Sequence, residues 1–286
     1  MPIFIIKICN DFFSYYLSKI INISFITGVF PQLCKTARVI PIFKKDDPLN
    51  VKNYRPISLL PIFSKIFEKA IYSRMYHYLE LNDLIFKRQF GFRANHSTNH
   101  ALISMTEDIK SHLDSNKFVS GIFIDLEKAF DTVNHEILCN KLSYYGFRGK
   151  VNDLIKSFLM NRTQFVSVNG VDSHLLNINC GIPQGSTLGP LLFLLYINDL
   201  RFSLTYSIAS HFADDTCITY ANKTLKTLES NMNYDLKSVT EWLRANRLSL
   251  NVDKTKLLFC SKSNQHIEDN ISIKLQGNKL IPLLIM

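Results

Sequence analysis

The chain has 286 residues, 47% apolar and 12% aromatic, which excludes a disordered or fibrous polypeptide and allows one large domain or two ordinary ones. Its 33 Lys and Arg against 24 Asp and Glu leave a formal charge of +9, a balance that suits a polyanionic partner. Six cysteines without a C-x-x-C pair argue against a zinc module or a disulfide framework and favour a reducing, intracellular setting.

Residues 1–27 place apolar side chains at helical spacing, and Lys7, Asp11 and Lys19 cut every apolar run short of the roughly 18–20 residues a bilayer requires. An amphipathic helical segment that packs on something else is expected there, with no membrane partner. Residues 37–43 (ARVIPIF) read as a strand, 45–50 as a turn, and 53–60 as a second strand edge punctuated by Pro56. Apolar positions at Ile62, Phe63, Ile66, Phe67, Ala70 and Ile71 predict a helix. QFGFR at 89–93 marks a glycine turn, followed by a helix capped by Ser97 or Thr98.

FVSGIFID at 118–125 is an apolar strand ending in a carboxylate; 126–147 reads as helical, and 151–162 as a further helix. Residues 163–181 form a hairpin turned at Asn169-Gly170. GIPQGSTLGP at 181–190 opens an apolar helix too short to cross a bilayer. A strand pair centred on HFADD follows, then a helix from about Thr224 to Asn246, with strands at 248–260 and 271–284. Helices and strands that do not alternate regularly predict an α+β fold.

The adjacent Asp214 and Asp215 pose the chemical question. Successive side chains of a regular strand point to opposite faces, so the two carboxylates can share a site only at a hairpin tip. Crowded carboxylates call for a cation to offset their charge. Asp125 ends its own apolar strand and offers a further carboxylate; Asp131, six positions on, ends another apolar run. Hard oxygen donors without clustered Cys or His suit Mg²⁺ or Mn²⁺. Of the pair, Asp214 is expected to be the primary ligand. Ordinary roles exist for each feature alone: a solvated turn for Asp-Asp, a helix cap for a strand-end Asp.

Several separated motifs carry a family likeness. FADD with its apolar flanks, FIDLEKAFD and GIPQGSTLGPLLF resemble the palm motifs of reverse transcriptases, and LSLNVDKTKLLFC resembles the lysine-bearing motif after the palm hairpin. VIPIFKKDDPLNVKNYRPISLL and QFGFRANHSTNHAL resemble finger motifs of non-LTR (LINE-type, jockey-like) retrotransposons. They occur in the family's order from about residue 28 to 275.

The resemblance implies a right-hand polymerase with fingers and a palm, the palm a ferredoxin-like sheet with helices on one face, and a thumb that is absent or truncated. It implies an N-terminal segment over 1–27 and a reverse transcriptase domain over 28–286, with fingers at about 28–118 and 141–180 and palm at about 119–140 and 181–286. Asp125, Asp214 and Asp215 match the carboxylates that hold two Mg²⁺, with Asp215 the less certain of the pair in role. Phe130 matches the aromatic under the nucleotide sugar, where its bulk excludes a 2′-hydroxyl. Gln184 and Gly185 match the nucleotide-side turn, with Ser186 or Thr187 capping the next helix. Lys44, Lys45 and Arg55 match the cations that grip the triphosphate, the choice between the two lysines left open. Lys87 and Arg93 match template-backbone contacts, and Lys254 a proton donor to the leaving pyrophosphate.

The implied partners are an RNA template, a DNA primer and dNTPs, with the thumb and endonuclease parts of a longer element protein missing, and the implied location nuclear or cytoplasmic. NYRPISLL and FADD speak against the maturase reverse transcriptases of group II introns. The alternative of another class is a truncated or domesticated remnant that binds RNA without catalysis.

Overall fold

A computed structural model describes residues 3–261 and 271–285 of the chain. Residues 262–270 of the expected palm lie outside it. The elements run in order α1 (Ile3–Ile8), α2 (Asn10–Thr27), β1 (Thr36–Phe43), β2 (Tyr54–Leu59), α3 (Ile62–Leu81) and α4 (Thr98–Asp114). Then come β3 (Phe118–Ile124), β4 (Leu126–Glu127), α5 (His135–Tyr144), α6 (Lys150–Leu159), β5 (Arg162–Val168), β6 (Val171–Asp172) and β7 (Leu176–Ile178). The remainder is α7 (Gly189–Ile197), β8 (Ile208–Phe212), β9 (Asp215–Asn222), α8 (Leu225–Ala245), β10 (Ser249–Leu250), β11 (Lys256–Cys260), β12 (Lys274–Leu275), β13 (Asn278–Lys279) and β14 (Pro282–Ile285). The fold is α+β, as the irregular alternation predicts. Among the described residues no helix is long and apolar enough to cross a membrane.

The chain divides into two compact units, the first from residues up to 84 plus 130–196, the second from 85–129 plus 197 onward. In the first, β1 lies between antiparallel β2 and parallel β5, and β5 also pairs with β6 and β7. Pro56 sits in β2, an edge strand, where its missing N–H leaves no ladder bond unmade. Asn169 and Gly170 both take positive φ at the β5–β6 turn, the requirement that makes Asn-Gly a hairpin signal. The helices bury Phe67, Ile71 and Met75 of α3, Leu138 of α5, Ile155 and Phe158 of α6, and nearly all of α7. A fully buried apolar side chain of this size contributes roughly 2 kcal/mol.

The second unit is built on a sheet ordered β14-β11-β3-β9-β8. Ile122 pairs with Ile218 across β3 and β9, both fully buried. Helix α8 packs on β9 and buries Leu228, Met232, Leu236 and Val239, a stripe at intervals of four, four and three. Helix α4 starts behind Ser97, whose hydroxyl accepts from the His100 N–H.

Three expectations are corrected. Residues 126–134 are not helical: 126–127 form β4 against β10, Lys128 takes φ +48, and the helix begins at His135, where Asn134 accepts from the Ile137 N–H. The local cap and the strand partner override a helical pattern there. The strand expected over 248–260 is two strands, because Asn251 turns the chain: its backbone oxygen accepts from Thr255 N–H and its side chain from Lys254 N–H. The N-terminal helix is broken at Cys9 into α1 and α2.

Candidate active site

In the second unit the register of β3 and β9 places Ile124 opposite Thr216, so Asp125 and Asp215 stand at the same end of neighbouring strands. Phe212 of β8 pairs with Asp215, which leaves Ala213 and Asp214 as a two-residue hairpin loop. The tip expected from the adjacent carboxylates is therefore there. Ala213 takes φ +59, a left-handed conformation that costs a non-glycine residue roughly 1–2 kcal/mol. Such a turn persists only where its surroundings hold it.

Partial desolvation, then the charges of Asp214 and Asp125, push the Asp215 carboxyl above its usual range. Asp125 is 30% exposed; its backbone oxygen accepts from the Asn251 N–H, and its Oδ2 lies 3.6 Å from Lys254 Nζ. Lys254, 70% exposed, thus sets a cation beside this carboxylate. A cavity of about 690 Å³ opens here, lined on its polar side by Asp125, Asp215, Asp253 and Lys254 and on its apolar side by α4 residues such as Met105. Asp214, half-buried on the loop, is not part of that lining. Asp253 is a carboxylate the sequence motifs did not single out.

Beneath the tip lies His211, 1% exposed, with Nδ1 2.8 Å from Thr216 Oγ1 and its ring edge-on to Phe86. Burial pulls its pKa down to about 4, so the ring is neutral at physiological pH. Of the expected template contacts, Lys87 is exposed, and Arg93 places one guanidinium N–H on the Phe86 oxygen.

Among the described residues no group of three or more His, Cys, Asp or Glu side chains stands ready to hold a metal ion. In donor chemistry and in placement the carboxylates nevertheless fit a hard divalent cation. They are oxygen donors at one end of two neighbouring strands, the ligand type such a cation takes.

In the first unit Lys44, Lys45 and Arg55 are all exposed on the β1–β2 hairpin, with Arg55 opposite Ile42 and the Lys44 N–H donating to Asn53. The ring of Phe130 stacks on Phe193 of α7 at 4.5 Å between centroids. Gln184 Nε2 donates to Asp131 Oδ1 at 2.9 Å, so Asp131 orients the glutamine amide. The Gln184 backbone oxygen accepts from the Ser58 N–H at 2.7 Å. Gly185 takes φ +121, and a Cβ there would sit 2.5 Å from the Ser58 oxygen, so the close approach of β2 already demands glycine. Ser186 caps α7, its hydroxyl accepting from the Leu188 and Gly189 N–H groups.

The residue that organises this loop was not foreseen. Glu68 of α3, 0% exposed, accepts from the Ser186 hydroxyl at 2.6 Å and the Thr187 N–H at 2.6 Å through Oε2, and from Ser64 through Oε1 at 2.8 Å. Its charge also opposes the desolvation that lowers the pKa of buried Arg162 to about 10. The available signal was a Glu in register with Ser64, Ile71 and Met75 on the face of α3 that turns inward.

Comparison with known proteins agrees with this geometry. Residues 42–274 match the family model described as reverse transcriptase (RNA-dependent DNA polymerase). The chain is 31% identical over 257 residues to the RNA-directed DNA polymerase from mobile element jockey of Drosophila melanogaster, covering 87% of this chain and 28% of that protein. It is 33% identical over 251 residues to the probable RNA-directed DNA polymerase from transposon X-element of the same species, covering 84% and 27%. The chain thus spans little more than a quarter of these relatives' length. Among solved structures, apo telomerase from Candida tropicalis superposes with a TM-score of 0.57 at 15% identity, over 88% of this chain and 54% of that one, which shows a shared fold. With the family model spanning residues 42–274, most of the chain, the chain belongs to the reverse transcriptase (RNA-dependent DNA polymerase) family.

Proposed function

We propose that this chain is the polymerase core of a non-LTR retrotransposon protein, adding dNTPs to a primer 3′-hydroxyl on an RNA template by two-metal phosphoryl transfer. The observation that carries the reading is the strand-end Asp125 beside the Asp214–Asp215 hairpin tip. Asp125 and Asp214 would be the principal ligands of two Mg²⁺, or Mn²⁺, and Asp215 the third oxygen donor. Bound there, the ions would neutralise charge on the transferring phosphoryl group and favour ionisation of the primer hydroxyl.

The chain's own side chains do the rest. Lys254, whose Nζ lies 3.6 Å from Asp125 Oδ2, is the proposed proton donor to the leaving pyrophosphate. Lys44, Lys45 and Arg55, exposed and clustered on one hairpin, are the proposed triphosphate ligands, as point charges and a bidentate fork. Phe130, backed by Phe193, is the proposed barrier to a 2′-hydroxyl, and a ring with that support resists displacement. Gln184 and Gly185 are the proposed nucleotide-side turn, and Lys87 and Arg93 the proposed template contacts, salt-sensitive and indifferent to sequence. In this reading the fingers and palm divide as the motifs imply, and the protein works inside the cell where element RNA is found.

Primer extension with dNTPs and Mg²⁺ on a primed RNA template tests the reading. Wild-type chain should extend the primer, and Asp214→Asn should lose at least about 100-fold in rate. A wild type that binds RNA but never extends, even with a thumb segment from a relative appended, would count for the non-catalytic alternative.

A further inference from the structure

We propose that Gln89 and Gly91 are positioning residues for the carboxylate hairpin: they hold Ala213 in its left-handed turn and so set the directions of Asp214 and Asp215. The catalytic consequence rests on the functional reading above; the holding itself rests on geometry within the second unit.

Gln89 is 2% exposed, and its Oε1 accepts two backbone bonds, from the Gly91 N–H at 2.9 Å and from the Ala213 N–H at 3.2 Å. A carbonyl oxygen has two lone pairs, and both are used here to tie one segment to the other. Ala213 is itself buried, and a buried N–H at a hairpin tip needs an acceptor that the two-residue loop does not supply.

The backbone around Gln89 is docked with the same aim. The Phe90 N–H donates to the His211 oxygen at 2.8 Å, and the His211 N–H donates to the Arg88 oxygen at 2.9 Å, a parallel bridge centred on Gln89 and His211. Arg88 is fixed in turn by a forked pair with Asp108 of α4. Gly91 brings the segment against the tip: a Cβ there would lie 2.1 Å from the Ala213 nitrogen and 2.8 Å from the Phe212 carbonyl carbon. Only glycine allows this approach. The amide side chain and the missing Cβ therefore converge on Ala213, whose strained φ aims the two carboxylates, while the backbone bridge holds His211 two residues before it.

The chemistry of the anchor fits its place. A carboxylate could accept the same two bonds, but it would add another negative charge beside the turn that bears Asp214 and Asp215. A neutral amide oxygen holds the turn without that penalty.

The test uses the full chain. Amide hydrogen exchange at Ala213 is followed without metal or nucleic acid, and kcat and dNTP KM are then measured on a primed RNA template. Gln89→Leu keeps the volume and removes the acceptor: exchange at Ala213 should rise at least about tenfold, and kcat should fall by about 100-fold with KM within about twofold. Gln89→Glu should keep the Ala213 protection, which a packing role would not, because packing favours Leu over a buried charge. Gly91→Ala, which loses no bond and pushes the tip aside, should also speed exchange, and it carries the test if the leucine variant does not fold. Wild-type exchange at Ala213 in Gln89→Leu or Gly91→Ala would overturn the holding role; faster exchange with unchanged kcat would overturn its catalytic consequence. If the wild type extends no primer, that silence counts against the functional reading, while the exchange result still decides the holding role.

Discussion

The hairpin loop at Ala213–Asp214 and the loop at 184–187 solve one problem with anchors of different charge, one neutral and one anionic. Each carries candidate site residues, each bends through a positive φ, and each is held by one buried side chain from a distant stretch of sequence. In the second unit the holder is an amide, Gln89; in the first it is a carboxylate, Glu68. Glu68 sits at the start of α7, where helix N–H groups and the nearby Arg162 welcome an anion, and it accepts four bonds. Gln89 sits under a turn that already bears two acids. The charge of an anchor is set by the charge of what it holds.

Two substitutions can break or sharpen that comparison. The larger effect belongs to Glu68→Ala, which leaves the Ser64 and Ser186 hydroxyls and the Thr187 N–H without their acceptor and Arg162 without its counter-charge; a loss of about 4 kcal/mol in urea unfolding is expected. Glu68→Gln should lose about half as much. A glutamine variant as stable as wild type would show that charge is irrelevant at this anchor and would dissolve the contrast with Gln89.

The smallest effect has the opposite sign. Because the folded state raises the Asp215 pKa, it binds a proton more readily than the unfolded chain, so this group costs stability as pH rises through and above about 4. Asp215→Asn removes that cost and should stabilise the metal-free chain slightly at pH 7, with solvent screening at this exposed residue holding the gain below roughly 1 kcal/mol, and with no gain below pH 3. Saturating Mg²⁺ should shrink the gain. A variant less stable than wild type in metal-free buffer would show that Asp215 is held by attraction and not strained by repulsion.

Much of this arrangement was legible in the sequence, and the exceptions share a cause. Adjacent Asp residues between alternating strands could only mean a turn, Asn-Gly specified the β5–β6 hairpin, and Pro56 marked an edge. Those signals are local. Glu68 and Gln89 are single polar residues whose loop partners Ser186 and Ala213 lie 118 and 124 positions away, so no periodicity or turn rule exposes them. The stretch 126–134 misleads for a related reason: its helical pattern yields to a tertiary strand partner at 249–250 and to the cap at Asn134. At Gly185 the close approach of the Ser58 backbone is a second reason for glycine, and no local signal shows it.

The most direct test of the account is Mn²⁺ binding to the chain without nucleic acid, followed by electron paramagnetic resonance. Saturable binding is expected in the wild type and in a surface variant such as Lys223→Ala. It should be lost in the double variant Asp125→Asn, Asp214→Asn. Undiminished, saturable binding in that double variant would place the ion elsewhere and contradict the assignment of these strand-end carboxylates as the metal site.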